Sequence, residues 1–161
     1  MMSKLMEKMN EQFNFELSSG YIYLAMSAFL KDQDMDGFAN FMYKQAEEEF
    51  EHAMKFYNFL FEIDETPEYD AMEKPKAKYE SFTEVFETAY EHEKEVSRRI
   101  RELYAMAQEE KNYEVIGFLG WFIEEQIEEE DSFRTIVNRL KRIDGKWNGL
   151  YIFDRELGQR E

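Results

Sequence analysis

Both prolines of this chain, Pro67 and Pro75, fall in one short polar region, and the long stretches on either side have none. Proline breaks helices because it lacks an amide hydrogen and its ring crowds the preceding turn. A chain that confines proline to one place and repeats apolar residues at a period near 3.6 elsewhere is expected to be all-α. At 161 residues it is long enough for one well-cored domain, residues 1–161, and short for two.

The periodicity predicts four long helices and a short fifth. The first runs from Ser3 to Lys31, with Leu5, Met9, Phe13, Leu17, Leu24 and Leu30 among its apolar positions. The turn from Asp32 to Gly37 ends it and offers Asp34 or Asp36 as the next N-cap. The second helix spans Phe38 to Ile63, with Phe38, Phe41, Met42, Phe56, Phe59 and Leu60 inward. After the polar segment Asp64 to Glu80, Ser81-x-x-Glu84 reads as a capping box that opens a third helix, Phe82 to Lys111. Asn112 caps a fourth, which reaches Ile143; Gly117 and Gly120 within it predict close packing against a neighbour. Asn148 to Leu157 forms a fifth helix too short to stand alone in water, so it must dock.

The connections set the topology. Short turns make the first and second helices, and the third and fourth, antiparallel neighbours. A helix of about 28 residues is about 42 Å long, and the segment 64–80 can stretch about 56 Å at 3.3 Å per residue. That reach returns the chain along the whole bundle and makes the second and third helices parallel.

Composition narrows the partners. With 36 acidic against 20 basic residues and a net charge of −16, the surface repels nucleic acid and anionic membranes and concentrates cations. The chain has no cysteine, which excludes thiolate zinc sites, iron–sulfur clusters and disulfides. No apolar run is long enough to span a bilayer, and Met1-Met2-Ser3-Lys4 is not followed by a signal core. The expectation is a cytoplasmic protein, with part of its many Phe and Tyr rings covered by other subunits.

A few acids stand apart from the many that solvate helix faces. Positions seven apart on a helix differ by only about 20°, so a polar residue on the core stripe has apolar or ring residues seven before and after it. Glu16 (Met9, Tyr23), Glu49 (Met42, Phe56), Glu93 (Phe86, Ile100), Gln126 (Leu119, Phe133) and Glu129 (Phe122, Ile136) all pass. His52 lies between Gln45 and Phe59, and Glu130 also passes, facing another helix or subunit. Glu49-x-x-His52 places an oxygen and a nitrogen ligand on one helix face. No Lys or Arg shares the stripe, and several buried carboxylates need compensating charge; a multivalent cation supplies it. One imidazole among carboxylates and an amide suits iron or manganese better than copper or structural zinc. There are ligands enough for two metals with Glu49 between them.

These pieces resemble the bacterial and archaeal non-haem ferritins. The likeness lies in Glu16 followed by Tyr23, the run Gln45-Ala46-Glu47-Glu48-Glu49-x-x-His52, Tyr90-Glu91-His92-Glu93, Phe118-Leu119-Gly120-Trp121-Phe122 with Glu125-Gln126-x-Glu128-Glu129, and Phe153-Asp154-Arg155-Glu156-Leu157. It implies a ferritin-like four-helix bundle with a long crossover and a short fifth C-terminal helix. It further implies iron storage and detoxification, with Fe(II) oxidised by O2 or peroxide at a di-iron ferroxidase centre and kept as ferric mineral in a homo-oligomeric cage of 24 subunits (a 24-mer). By the resemblance Glu16, Glu49 and His52 hold one iron, and Glu49, Glu93 and Glu129 the other, with Gln126 beside them. Tyr23 stands next to the centre, as a hydrogen-bond donor or electron source. A third iron falls to Glu48, Glu125, Glu128 and Glu129. Rubrerythrin-type peroxidases of the same bundle are the alternative, but they carry a second Glu-x-x-His where this chain has Gln126-x-x-Glu129. His92, about 100° round the helix from Glu93, reads as a surface residue.

Overall fold

The computed structural model describes residues 2–161 and is helical: α1 (Lys4–Asp32), α2 (Asp36–Glu62), α3 (Phe82–Glu110), α4 (Tyr113–Ile143) and α5 (Trp147–Leu157). Each long helix lies within a few residues of its expected span, and no described residue is in a strand. α1 packs on α2 and α3 on α4, the two hairpins the short turns require. Phe38 near the start of α2 meets Phe82 and Phe86 at the start of α3, so α2 and α3 are parallel and the crossover spans the bundle.

The helix ends show which residues stop the chain and which do not. Ser3 Oγ accepts the Met6 amide at 3.2 Å and Asn112 Oδ1 that of Val115 at 3.1 Å, both N-caps of the expected kind. α2 departs from expectation. Asp34 takes positive φ (61°), Met35 precedes the helix with no side-chain cap, and neither Asp34 nor Asp36 caps it. Asp154 of α5 does so instead, its Oδ1 accepting the Phe38 amide at 2.8 Å. A long-range carboxylate serves the same orphan amides and the same positive end of the helix dipole that a local cap would. The contact also explains Gly37, where a Cβ would stand 1.7 Å from the Asp154 carbonyl oxygen. At α3, Ser81 Oγ accepts the Glu84 amide at 3.0 Å, but Glu84 returns its bond to the Glu80 amide rather than to Ser81.

Gly117 and Gly120 do not mark close packing: a Cβ at either would meet nothing within 4 Å. The close approaches fall at Gly37 and Gly149. α5 docks as its length demands, burying Leu150 and Phe153 against α2 and α4.

Two asparagines of α1 hold the crossover. Asn14 Nδ2 and Asn10 Nδ2 donate to the Glu68 carbonyl at 2.8 and 3.1 Å, while their Oδ1 atoms accept the Asp70 and Glu68 amides at 3.0 and 2.8 Å. Tyr69 then packs edge-on against Phe13 and Tyr79 against Phe29, which fixes the segment along the length of α1. Four hydrogen bonds at about 0.5–1.5 kcal/mol net each make this clamp a measurable share of stability. Replacing both Asn10 and Asn14 with Ala should lower the unfolding free energy by about 2 kcal/mol and speed hydrogen exchange at the Glu68 and Asp70 amides first. Equal exchange in the two proteins would refute it.

Two apolar clusters fill the bundle. One, around Tyr23, Phe38, Phe86 and Phe133, lies toward the α1–α2 turn, and the other, around Phe13, Phe56, Ile100 and Phe122, toward the opposite end. The polar core residues sit between them.

Candidate metal centre

The mid-bundle layer is made of acids. Glu16 of α1, Glu49 and His52 of α2, Glu93 of α3, and Gln126 and Glu129 of α4 are all buried, none more than 5% exposed. Each helix contributes from its inward stripe, and the (i, i+3) pair on α2 brings His52 Nδ1 to 3.3 Å from Glu49 Oε2. No Lys or Arg is among the buried described residues.

Glutamines hold one side of these carboxylates. Gln12 Nε2 donates to Glu16 Oε1 at 3.1 Å, and Gln45 Nε2 to both Glu49 Oε1 (3.0 Å) and Glu129 Oε2 (2.9 Å). Gln126 Nε2 donates to Glu93 Oε2 at 3.1 Å and to Ser97 Oγ at 3.1 Å, while Tyr23 Oη donates to Glu93 Oε1 at 2.6 Å. Among the described residues, three buried side-chain atoms are left with no hydrogen-bond partner: Glu16 Oε2, Glu49 Oε2 and His52 Nδ1. The His52 and Glu49 atoms are within ion-pair range yet out of line for a hydrogen bond. Buried polar atoms are rarely orphaned, and three on neighbouring side chains call for a ligand.

Among the described residues, ligand-bearing atoms fall into three groups, each within 4.8 Å: Glu16, Glu49 and His52; Glu49, Glu93 and Glu129; and His52, Glu125 and Glu129. Glu49 belongs to the first two, so one carboxylate stands between two cation positions. Of the remaining expected residues, Glu125 is half-buried and joins the third group, Glu48 is half-buried and pairs with Arg160, and Glu128 is exposed and in none of them.

The electrostatics follow from burial without positive charge. Glu49 is pushed well above the usual carboxylate range by burial and then by Glu93 and Glu16. Glu129 rises to about 9 through burial and then the charges of Glu93 and Glu48. Glu93 rises only to about 7, because burial is opposed by hydrogen bonds from Tyr23 and Gln126. The Tyr23 phenol is held well above its ordinary value by burial and by Glu93. Burial thus favours the protonated carboxyls when no metal is bound, and a cation competes with those protons.

Residues 6–143 match the family model described as a ferritin-like domain. The chain belongs to the ferritin family. It is similar to the bacterial non-heme ferritin of Staphylococcus aureus, 40% identical over 161 residues that cover 99% of this chain and 97% of the relative. The Staphylococcus haemolyticus protein of the same description is 39% identical over equal shares. Among solved structures, the open pore ferritin of the hyperthermophilic archaeon Archaeoglobus fulgidus superposes with a TM-score of 0.98 at 38% identity, covering 100% of this chain and 99% of the other. An engineered closed form of that ferritin gives 0.97 at 38%, covering 100% and 98%.

His92 departs from the surface placement expected of it. It is half-buried, stacked on Phe15 with ring centres 5.1 Å apart and bonded through Nε2 to Ser19 Oγ at 2.7 Å; burial and the Arg99 guanidinium push it down to about 4. Glu130 turns to α3, accepting from Ser97 Oγ at 2.6 Å. Sequence reasoning passed over Gln12 and Gln45 as functional residues. Both stand four residues before an inward Glu, a helical spacing at which side chains meet.

Proposed function

We propose that the chain stores iron, binding two Fe2+ ions at Glu16, Glu49, His52, Glu93 and Glu129, oxidising them, and passing Fe3+ to a mineral inside a shell of its own copies. The observation that carries this is the convergence of orphaned Glu16 Oε2, Glu49 Oε2 and His52 Nδ1 at Glu49, the carboxylate common to the Glu16–His52 group and the Glu93–Glu129 group. The electron count also supports a pair: each Fe2+ gives one electron, and O2 takes two with two protons to become hydrogen peroxide. The two protons come from solvent, because the carboxyls release theirs as the metal binds. Glu93 is held by Tyr23 and Gln126, so Gln126 acts here by orienting Glu93, and Tyr23 stands within one hydrogen bond of the second iron's ligand set.

Assembly has its own surface. Tyr21, Leu24, Tyr43, Phe50 and Met72 are all exposed along one groove between α1, α2 and the crossover. An exposed apolar patch of rings on a strongly acidic protein favours burial against another copy.

Aerobic Fe2+ titration tests the reading. Storage predicts soluble uptake far beyond three irons per chain, with a fast phase saturating near two. Oxidation that stops at the bound ions and precipitates the excess would favour a di-iron oxidase without storage, and a rate equal to buffer would remove the metal centre altogether.

A further inference from the structure

The tail beyond α5 turns back along α2. Asn40 Nδ2 donates to the carbonyls of Arg160 at 3.1 Å and Gly158 at 3.3 Å, and Gly158 packs against Gly37. Held in this way, the tail lays the Arg160 guanidinium over the Phe41 ring, 4.3 Å from its centre. Arg160 Nη1 donates to the Phe41 carbonyl at 3.1 Å, and Nη2 lies 2.8 Å from Glu48 Oε1. Phe41 and Glu48 are seven residues apart and so share a stripe of α2. The Arg160 side chain is 19% exposed.

Glu48 stands four residues before His52 on α2, a spacing at which side chains share one face. The ligand atoms of His52, Glu125 and Glu129 lie within 4.8 Å of one another. His52 offers this group a ring nitrogen, while its Nδ1 faces Glu49, with Oε2 3.3 Å away. Glu48 is thus a carboxylate beside a cation position among His52, Glu125 and Glu129, with one of its oxygens engaged by a positive side chain.

We propose that Arg160 is a displaceable counter-ion of Glu48, so that the C-terminal tail sets how readily a cation occupies the third position formed by His52, Glu125, Glu129 and Glu48. This rests on reading those residues as a cation position. Guanidinium stays charged across the accessible pH range, so the pair yields to a competing cation or to movement of the tail. Linkage makes the effect mutual: what the tail takes from cation affinity, the cation takes from tail docking.

Anaerobic titration of the assembled protein with Mn2+, counted by calorimetry and electron paramagnetic resonance, reads the third position as the weakest of three sites per chain. Arg160→Gln should tighten that site about fivefold, a typical coupling between linked sites, and leave the two tighter sites unchanged. Arg160→Lys, which keeps the charge but loses the two-pronged hold, should fall between the two. In a Glu48→Gln background Arg160→Gln should have no further effect. Mn2+ saturation should speed hydrogen exchange in residues 158–161 of the unsubstituted protein. If Glu48→Gln weakens the third site while Arg160→Gln leaves it unchanged, the counter-ion role is wrong and the cation position stands. If Glu48→Gln also changes nothing, the position itself is misread and the inference falls with it. Equal affinities in the Gln and Lys variants would overturn the role of charge.

Discussion

Replacing Glu49 with Ala should lower the initial rate of Fe2+ oxidation by at least about 100-fold, while the metal-free protein becomes no less stable when the substitution is Gln instead. The first half follows from position: Glu49 is common to the groups with Glu16 and His52 and with Glu93 and Glu129, so its loss disables both. Removing even a residue that only supports a metal ligand costs about 10–100-fold, and a shared ligand belongs at or beyond that upper end. The second half follows from burial without a cation. Glu49 is 1% exposed, with Glu93 and Glu16 both raising its proton affinity. Burial and the neighbouring acids favour the protonated carboxyl, whereas the unfolded chain ionises it, so keeping Glu49 in the metal-free core costs stability as pH rises. Gln fills the same volume without that cost and keeps an amide to meet Gln45, so Glu49→Gln should raise the unfolding free energy at pH 8 in denaturant unfolding. A site that sacrifices stability for function behaves this way. Unchanged oxidation kinetics in the Ala variant would remove Glu49 from the centre.

Much of this site was legible because burial leaves a periodic mark. Glu16, Glu49, Glu93, Gln126 and Glu129 each have apolar or ring residues seven positions to either side, and all five are buried. His52 satisfied that rule only in part because its neighbour Gln45 is polar, yet Gln45 is 1% exposed. A rule that equates inward with apolar fails next to a polar core, and here the failing residue is one that holds Glu49 and Glu129.

The features that sequence left hidden are long-range. The Asp154 cap on α2 joins residues 116 positions apart, and nothing local to Asp34 or Asp36 shows that either will be passed over. Asn10 and Asn14 read as ordinary polar positions on α1 until the crossover lies beside them. Gly117 and Gly120 suggested a close neighbour through their cost in helix propensity, but propensity says nothing of which face they occupy. Helix number, order and the parallel pairing of α2 with α3 needed only periodicity, turn length and chain reach.

The metal-free protein should lose stability as pH rises from 5 to 9, and a divalent cation should reverse that loss. Glu93 and Glu129 are raised from the ordinary carboxylate value to about 7 and about 9, and Glu49 well above it. An acid whose folded pKa is raised binds its proton more tightly when folded, so between the unfolded and folded values the native state holds more protons. Unfolding free energy then falls with pH. Its contribution is whole below about pH 4.5 and is lost as pH climbs through 7 for Glu93 and 9 for Glu129. Glu93 alone, moved from 4.5 to about 7, accounts for on the order of 3 kcal/mol at 1.36 kcal/mol per unit. A bound cation needs those carboxyls ionised, so its affinity rises with pH and binding expels protons. Redox-inert Zn2+ at about 100 times its dissociation constant adds about 2.7 kcal/mol per site. The thermal midpoint of metal-free protein should therefore be lower at pH 8.5 than at pH 6, the gap should close with Zn2+, and a lightly buffered sample at pH 7 should acidify as Zn2+ is added. A metal-free midpoint that rises between pH 6 and 8.5, with no proton release on binding, would mean that the layer between Tyr23 and Phe122 is not a set of acids kept apart by a cation.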